Sequence, residues 1–166
     1  MLDIRPDLLR QILSHDELSP DEVHAIAQTA YIAAELDFHE DLGETQILDQ
    51  LGGLLWSAAN LPAQDIAPVS PLPFDDEERR ALIHELASRL STRGARELAY
   101  ALAYLTIAND LELAPVEGRF LDELQHALVI SDERAADLAA SSAESATPGI
   151  EAAGGSHERE PINAAR

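Results

Sequence analysis

Two stretches of this chain repeat each other in register, and that constrains its fold more than any other feature. Residues 31–55, YIAAELDFHEDLGETQILDQLGGLL, and residues 104–128, YLTIANDLELAPVEGRFLDELQHAL, align without a gap at a displacement of 73 residues. The register pairs Tyr31 with Tyr104, Asp37 with Asp110, Glu44 with Glu117, Leu48 with Leu121, Asp49 with Asp122, Leu51 with Leu124 and Leu55 with Leu128. It extends backwards to Leu9 and Leu82, Leu13 and Leu86, and Ser19 and Thr92. Leu and Ala matches come cheaply in a chain rich in both, but Tyr, Asp and Glu recurring in step do not. Each copy reads as helix, acidic corner, helix. A three-helix unit of this size cannot bury its own apolar face, so the two halves are expected to pack on each other.

The residue types that fill this pattern favour helices throughout. Hydrophobic residues make up 46% of the chain but aromatics only 4%, so the apolar content is largely Ala and Leu, both strong helix formers. β-branched runs of strand length are missing. Local start signals then divide the chain. Pro6 suits the opening turn of a short first helix with Leu9, Ile12 and Leu13 at helical spacing. Ser19-Pro20-Asp21-Glu22 has the spacing of a capping box for a second, and Asp41-Leu42-Gly43-Glu44 for a third. Asp75 to Glu78 crowd the start of a fourth, where negative charge meets the positive end of the helix dipole. Ser91 or Thr92 caps a fifth, Pro115 opens a sixth, and Ser131 caps a last short helix through about residue 140. The expectation is an all-α domain of about seven helices over residues 1–140. Its halves are residues 1–60 and 74–130, and the proline-punctuated linker is 61–73. Residues 141–166, rich in Ser, Ala, Gly and Glu with little to bury, read as a disordered tail.

Charge narrows the partners. A formal net charge of −20 and a pI near 4.4 repel phosphate backbones and anionic headgroups and attract cations or a basic protein partner. Nucleic acid is not an expected ligand. With no cysteine, disulfides, thiolate metal sites and cysteine nucleophiles are excluded. The opening MLDIRPDLLR lacks the positive region of a signal peptide, and no apolar span reaches membrane length, so membrane insertion is not expected and a cytoplasmic address is.

The matched acids are the candidate site. Asp37, Glu44, Asp110 and Glu117, with His39 and Glu112 at equivalent positions, could together supply the hard oxygen ligands that Ca²⁺, Mg²⁺ or Mn²⁺ prefer. A structural role competes, because Glu44 and Glu117 stand where a capping-box Glu belongs and an Asp at a corner can bond local amides. An EF-hand is the poorer account. A loop beginning at Asp37 or Asp110 lacks both the glycine at position six and the Glu at position twelve. Catalysis finds little support: His84-Glu85 has no second His four residues after the first, and neither a nucleophile elbow nor a phosphate-binding glycine loop occurs. His24, His84 and His126 fall on helices as surface or locally bonded side chains, and Trp56, Tyr31 and Tyr104 read as packing residues. No catalytic residue and no organic cofactor are assigned, and a metal-assisted hydrolase is the least favoured class.

The Asp37-to-Glu44 and Asp110-to-Glu117 spacings each lie between a helix rich in small residues and one with an aliphatic stripe. Together with IANDLELAPVEGRFLDELQHALVIS at residues 107–131, they resemble the TerB-like tellurite-resistance family. That family is all-helical and shares the duplicated helix-corner-helix plan. The resemblance spans residues 8–138 and is closer in the second half. It implies a cytoplasmic, non-enzymatic protein of tellurite, metal or other stress response that binds a divalent cation through its acidic corners. Family members usually carry Gly directly after the Asp, where this chain has Phe38 and Leu111.

Overall fold

The computed structural model describes residues 6–13, 16–37, 44–67, 75–108 and 113–146, leaving aside the side chains of residues 6, 37, 44–48, 50 and 144–146. The described residues form seven helices and no strand: α1 (Pro6–Leu13), α2 (Pro20–Asp37), α3 (Glu44–Ala58), α4 (Asp76–Ser88), α5 (Arg93–Ile107), α6 (Pro115–Ala127) and α7 (Asp132–Ala146). The all-α expectation holds. α2 and α5 begin 73 residues apart, the displacement of the sequence register.

The caps explain the boundaries. Ser19 and Glu22 close the capping box at α2, with the Ser19 N–H donating to Glu22 Oε2 at 2.9 Å and the Glu22 N–H donating to Ser19 Oγ at 3.3 Å. Asp75 accepts from the Glu77 N–H at 2.7 Å to open α4, and Thr92 Oγ1 accepts from the Ala95 N–H at 3.1 Å to open α5. α7 continues six residues past its expected end near residue 140. Ala and Ser tolerate a helix, and the stripe of Ala135, Leu138 and Ser142 is buried along it, so packing carries the helix past the point where composition turns polar. Residues 147–166 of the expected tail lie outside the described residues.

α2 and α5 form the centre. Val23, Ala25, Ile26, Ala27, Ala30, Ile32 and Ala33 are fully buried, as are Ala95, Leu98, Ala99, Ala101 and Ala103. A helix buried on nearly all sides needs neighbours all round. α3 lies against α2, α6 against α4 and α5, and both α1 and α7 against α5. Small side chains let the two central backbones approach closely, while Ile26, Ile32, Leu98 and Leu102 fill the space between, each contributing about 1.5–3 kcal/mol by leaving water. Thr29 and Thr106 are the uncharged polar exceptions among the buried residues described on these two helices, and each hydroxyl donates to the carbonyl four residues back at 2.8 Å. α3 passes through Gly52, where a Cβ would stand 3.1 Å from Ile66 Cδ1, so the glycine admits the connecting segment against the helix. The same segment is fastened by the Trp56 indole, which donates to the Gln64 carbonyl at 2.9 Å.

The opening turns of α2 and α5 meet side by side. Glu22, 3% exposed, uses Oε2 on its own helix and Oε1 on the other half of the chain. That second oxygen accepts from the Ser91 N–H at 3.0 Å, the Ser91 hydroxyl at 2.8 Å and the Thr92 N–H at 3.3 Å. One carboxylate thus satisfies donors at the starts of two helices. Asp16 accepts from the Gly94 N–H at 2.8 Å, an approach that a Cβ at Gly94 would block at 2.6 Å. Asp21 pairs with Arg89, the residue that caps the C-terminus of α4, its Oδ1 accepting from Nε at 3.0 Å. Burial alone would raise the Glu22 carboxyl, but the hydrogen bonds from the amides and hydroxyls of Ser19 and Ser91 outweigh that cost and hold its pKa below the usual value. The Arg89 guanidinium lowers that of Asp21.

Candidate cation site

The acidic corners follow the C-terminal ends of α2 and α5 and precede α3 and α6. Asp37 ends α2 and Glu44 begins α3, and neither side chain is among those described. His39, Asp110 and Glu112 lie outside the described residues. Glu117 is therefore the candidate ligand whose setting is visible.

That setting follows from the local sequence. Ala114 adopts an extended backbone with φ −67° and ψ 150°, and Pro115, lacking an N–H, takes the first helical position where none is needed. This puts Glu117 at the third position, where its side chain turns back over the start of α6. Its Oε2 accepts from the Ala114 N–H at 2.6 Å, and the residue is 5% exposed. Half of a capping box is present: Glu117 serves the Ala114 N–H, but the Ala114 methyl has nothing to offer in return. Among the described residues, Glu117 Oε1 has no hydrogen-bond partner, whereas both oxygens of Glu22 are fully engaged. The carboxylate is thus fixed in place by one oxygen.

Elsewhere, the imidazoles and aromatics sit as their sequence positions suggest. His84 Nε2 lies 2.9 Å from Glu123 Oε1, and Arg80 Nε donates to Glu123 Oε2 at 3.1 Å. Burial would raise the Glu123 carboxyl, but His84 and Arg80 bring it below the ordinary value. His24 stands edge-on to buried Trp56, ring centres 5.4 Å apart. Tyr31 is buried and Tyr104 half-buried against the core. Among the described residues no three His, Asp or Glu side chains converge as a ready-made metal centre. No described helix is long and apolar enough to cross a membrane.

Two charged features escaped the sequence reading. One is the double use of Glu22 at the α2–α5 junction; the capping box was visible but its reach across the molecule was not. The other surrounds Glu97 on α5, 5% exposed and flanked by arginines from two helices. Arg134 of α7 grips it with Nε at 3.0 Å and Nη2 at 2.6 Å, and Arg93 donates from Nε at 2.6 Å. Burial opposes the Glu97 charge, yet the two guanidiniums lower its pKa, and the same contact raises that of Arg134. Its sequence signal was a Glu four residues after an Arg on a helix, a pattern too common to single out. No protein-family model, curated protein or solved structure matches the chain.

Proposed function

We propose that this chain is a non-enzymatic, TerB-like helical protein that binds a divalent cation, Ca²⁺, Mg²⁺ or Mn²⁺, at its acidic corners in a metal or oxyanion stress response. The observation that carries the reading is Glu117: a buried carboxylate at the start of α6, held by the Ala114 N–H through Oε2 and with no hydrogen-bond partner for Oε1 among the described residues. The common 73-residue offset of α2 and α5 supports it, because each central helix then leads into an equivalent acid-bearing corner. The net charge of −20 favours any cation at such a place. The test is titration of chelator-treated protein with each ion, followed by calorimetry and thermal unfolding. A ligand at one hundred times its Kd stabilises the fold by about 2.7 kcal/mol, a rise of several degrees in Tm. Asp110→Asn is expected to abolish that rise while leaving the cation-free Tm unchanged. A flat response to millimolar ion in the wild type overturns the reading.

A second reading rests on a different observation. Residues 11–78 contain fifteen Asp and Glu and no Lys or Arg, so one half of the chain has an acid surface suited to a basic protein segment. Under this adaptor reading, capture of a basic partner survives replacement of Asp37, Glu44, Asp110 and Glu117 by Asn or Gln. Under the cation reading, the same replacements remove the ion response.

A further inference from the structure

All eleven basic residues of this chain are arginines, and seven of them fall between residues 79 and 134. Most of those described meet a carboxylate: Arg79 with Asp76, Arg80 with Glu123, Arg89 with Asp21. One place departs from this pairing. A groove of about 470 Å³ between the first turns of α5 and the α6–α7 turn is lined by Arg93, Arg96 and Arg134, and Glu97 is the sole carboxylate among its lining residues. Three guanidiniums share one acid in a protein with 31 Asp and Glu available.

The hydrogen bonds leave donors over. Arg134 spends Nε and Nη2 on Glu97, and Arg93 spends Nε on the same residue. Arg96 donates from Nε to the Leu90 carbonyl at 2.9 Å, which covers the end of α4 and leaves its charge without a carboxylate among the described residues. Asp137 adds to the field at Arg134 but does not line the groove. Counted over its lining side chains alone, with Asp16 in the adjoining pocket left out, the groove has two more positive than negative charges, set against the strongly negative molecule. The rest of its lining is the apolar run Leu128, Val129 and Ile130 with the two hydroxyl residues Ser91 and Ser131.

From this geometry we propose that the groove binds a small phosphomonoester, its phosphate among Arg93, Arg96 and Arg134 and its carbon group against Leu128, Val129 and Ile130. A flat carboxylate is satisfied by the fork of one guanidinium, whereas a tetrahedral anion presents oxygens in several directions and can meet three. The volume exceeds that of phosphate alone, so the apolar wall is used only if the phosphate carries an organic group. The site is separate from the proposed cation corner, involves none of its residues and stands if that reading fails.

Calorimetry on chelator-treated full-length protein, at constant ionic strength, tests this with three probes: phenyl phosphate, inorganic phosphate and citrate. Phenyl phosphate is expected to bind tightest, inorganic phosphate about tenfold more weakly, and citrate more weakly than phenyl phosphate. Affinity should fall as salt rises. Arg93→Gln, at a residue whose side chain is 78% exposed, is expected to fold normally and lose about tenfold in affinity, as is Arg96→Gln. Binding of inorganic and phenyl phosphate with equal affinity reduces the site to a free-phosphate site and overturns the ester assignment. No saturable heat with either phosphate, equal binding of citrate, or full affinity retained in Arg93→Gln with a wild-type Tm overturns the site itself.

Discussion

The openings of α2 and α5 lie 73 residues apart, in register, but differ in charge: α2 begins with Asp21 and Glu22, whereas α5 begins with Arg93 and has no acid in its first turn. In the first half, the opening of α2 is capped from within by Ser19 and Glu22, and the surplus carboxylate capacity of Glu22 and Asp16 is exported. In the second, the opening of α5 has Thr92 as its own cap but takes Glu22 and Asp16 from the other half at Ser91, Thr92 and Gly94. The register makes the contrast pointed. The position equivalent to Glu22 is Ala95, and that equivalent to Asp16 is Arg89, so no reciprocal acid returns from the second half. Among the described residues, the polar contact at this junction runs one way: Asp16, Asp21 and Glu22 supply the acids, and Arg89, Ser91, Thr92 and Gly94 supply the donors. Two positions in register can both serve a helix start while carrying different charges.

Removing Glu22 should break this arrangement most severely. Glu22→Ala strips buried donors of their acceptor at two helix starts at once, and a loss of about 3 kcal/mol is expected in urea or thermal unfolding. The equivalent change in the other half, Ala95→Gly, removes no hydrogen-bond partner and costs about 1 kcal/mol through helix propensity. Glu22→Gln isolates the charge. Because the folded pKa of Glu22 lies below its unfolded value, its contribution is complete above the unfolded carboxyl range, near 4.3, and is lost as pH falls through the lower folded value. The stability gap between wild type and Glu22→Gln should be widest above about pH 5 and narrow below pH 4. A gap that stays constant with pH would show that shape, rather than charge, makes the contact.

Gly94 offers a smaller and more diagnostic break. A methyl there would stand 2.6 Å from Asp16 Oδ2, forcing the carboxylate off the Gly94 N–H. The lost charged hydrogen bond outweighs the gain in helix propensity, so Gly94→Ala should destabilise by about 1 kcal/mol. In an Asp16→Ala background the clash is gone and the propensity remains, so the same substitution should become stabilising. That change of sign measures the coupling between the halves directly. Equal effects in the two backgrounds would mean that Asp16 contributes nothing across the junction.

What could be seen in the sequence follows the range of each interaction. The seven helices were legible because caps act over three residues and apolar stripes over seven, and both were read from the letters around Ser19, Asp75 and Pro115. The Glu22 box was legible for the same reason, but its bonds to Ser91 and Thr92 span about seventy residues and exist only once α2 and α5 are packed. The Glu97 cluster was hidden likewise: Arg93 is local, whereas Arg134 arrives on α7, 37 residues away. The end of α7 is hidden in the sequence because the composition turns polar at Ser141, while the buried stripe through Ser142 depends on packing against α5. At the corners the sequence posed a choice for Glu117 between capping and ligation, and the geometry gives one oxygen to the cap.

The smallest expected effect concerns how α3 and α6 end, where the halves again share a motif and differ in the residue that makes it. α3 closes with Asn60 at φ 53°, its N–H donating to the Ser57 carbonyl and the following Leu61 N–H reaching back to Trp56. α6 closes the same way about one turn earlier in the register, with Val129 at φ 57° donating to His126 and Ile130 to Gln125. Asn tolerates the left-handed conformation by local hydrogen bonding, whereas the branched Cβ of Val crowds the backbone there. Val129 is also 80% exposed, so it recovers little of this cost through burial. Val129→Asn is therefore expected to stabilise the protein by about 1 kcal/mol, and Asn60→Val to destabilise it by a similar amount, both read as shifts in urea midpoint at unchanged m-value. Opposite signs from the two swaps would place the difference between the halves in the turn residue alone. If Val129→Asn were neutral while Asn60→Val remained costly, the surroundings of the α6–α7 turn, rather than its dihedral angles, would be what relieves the valine.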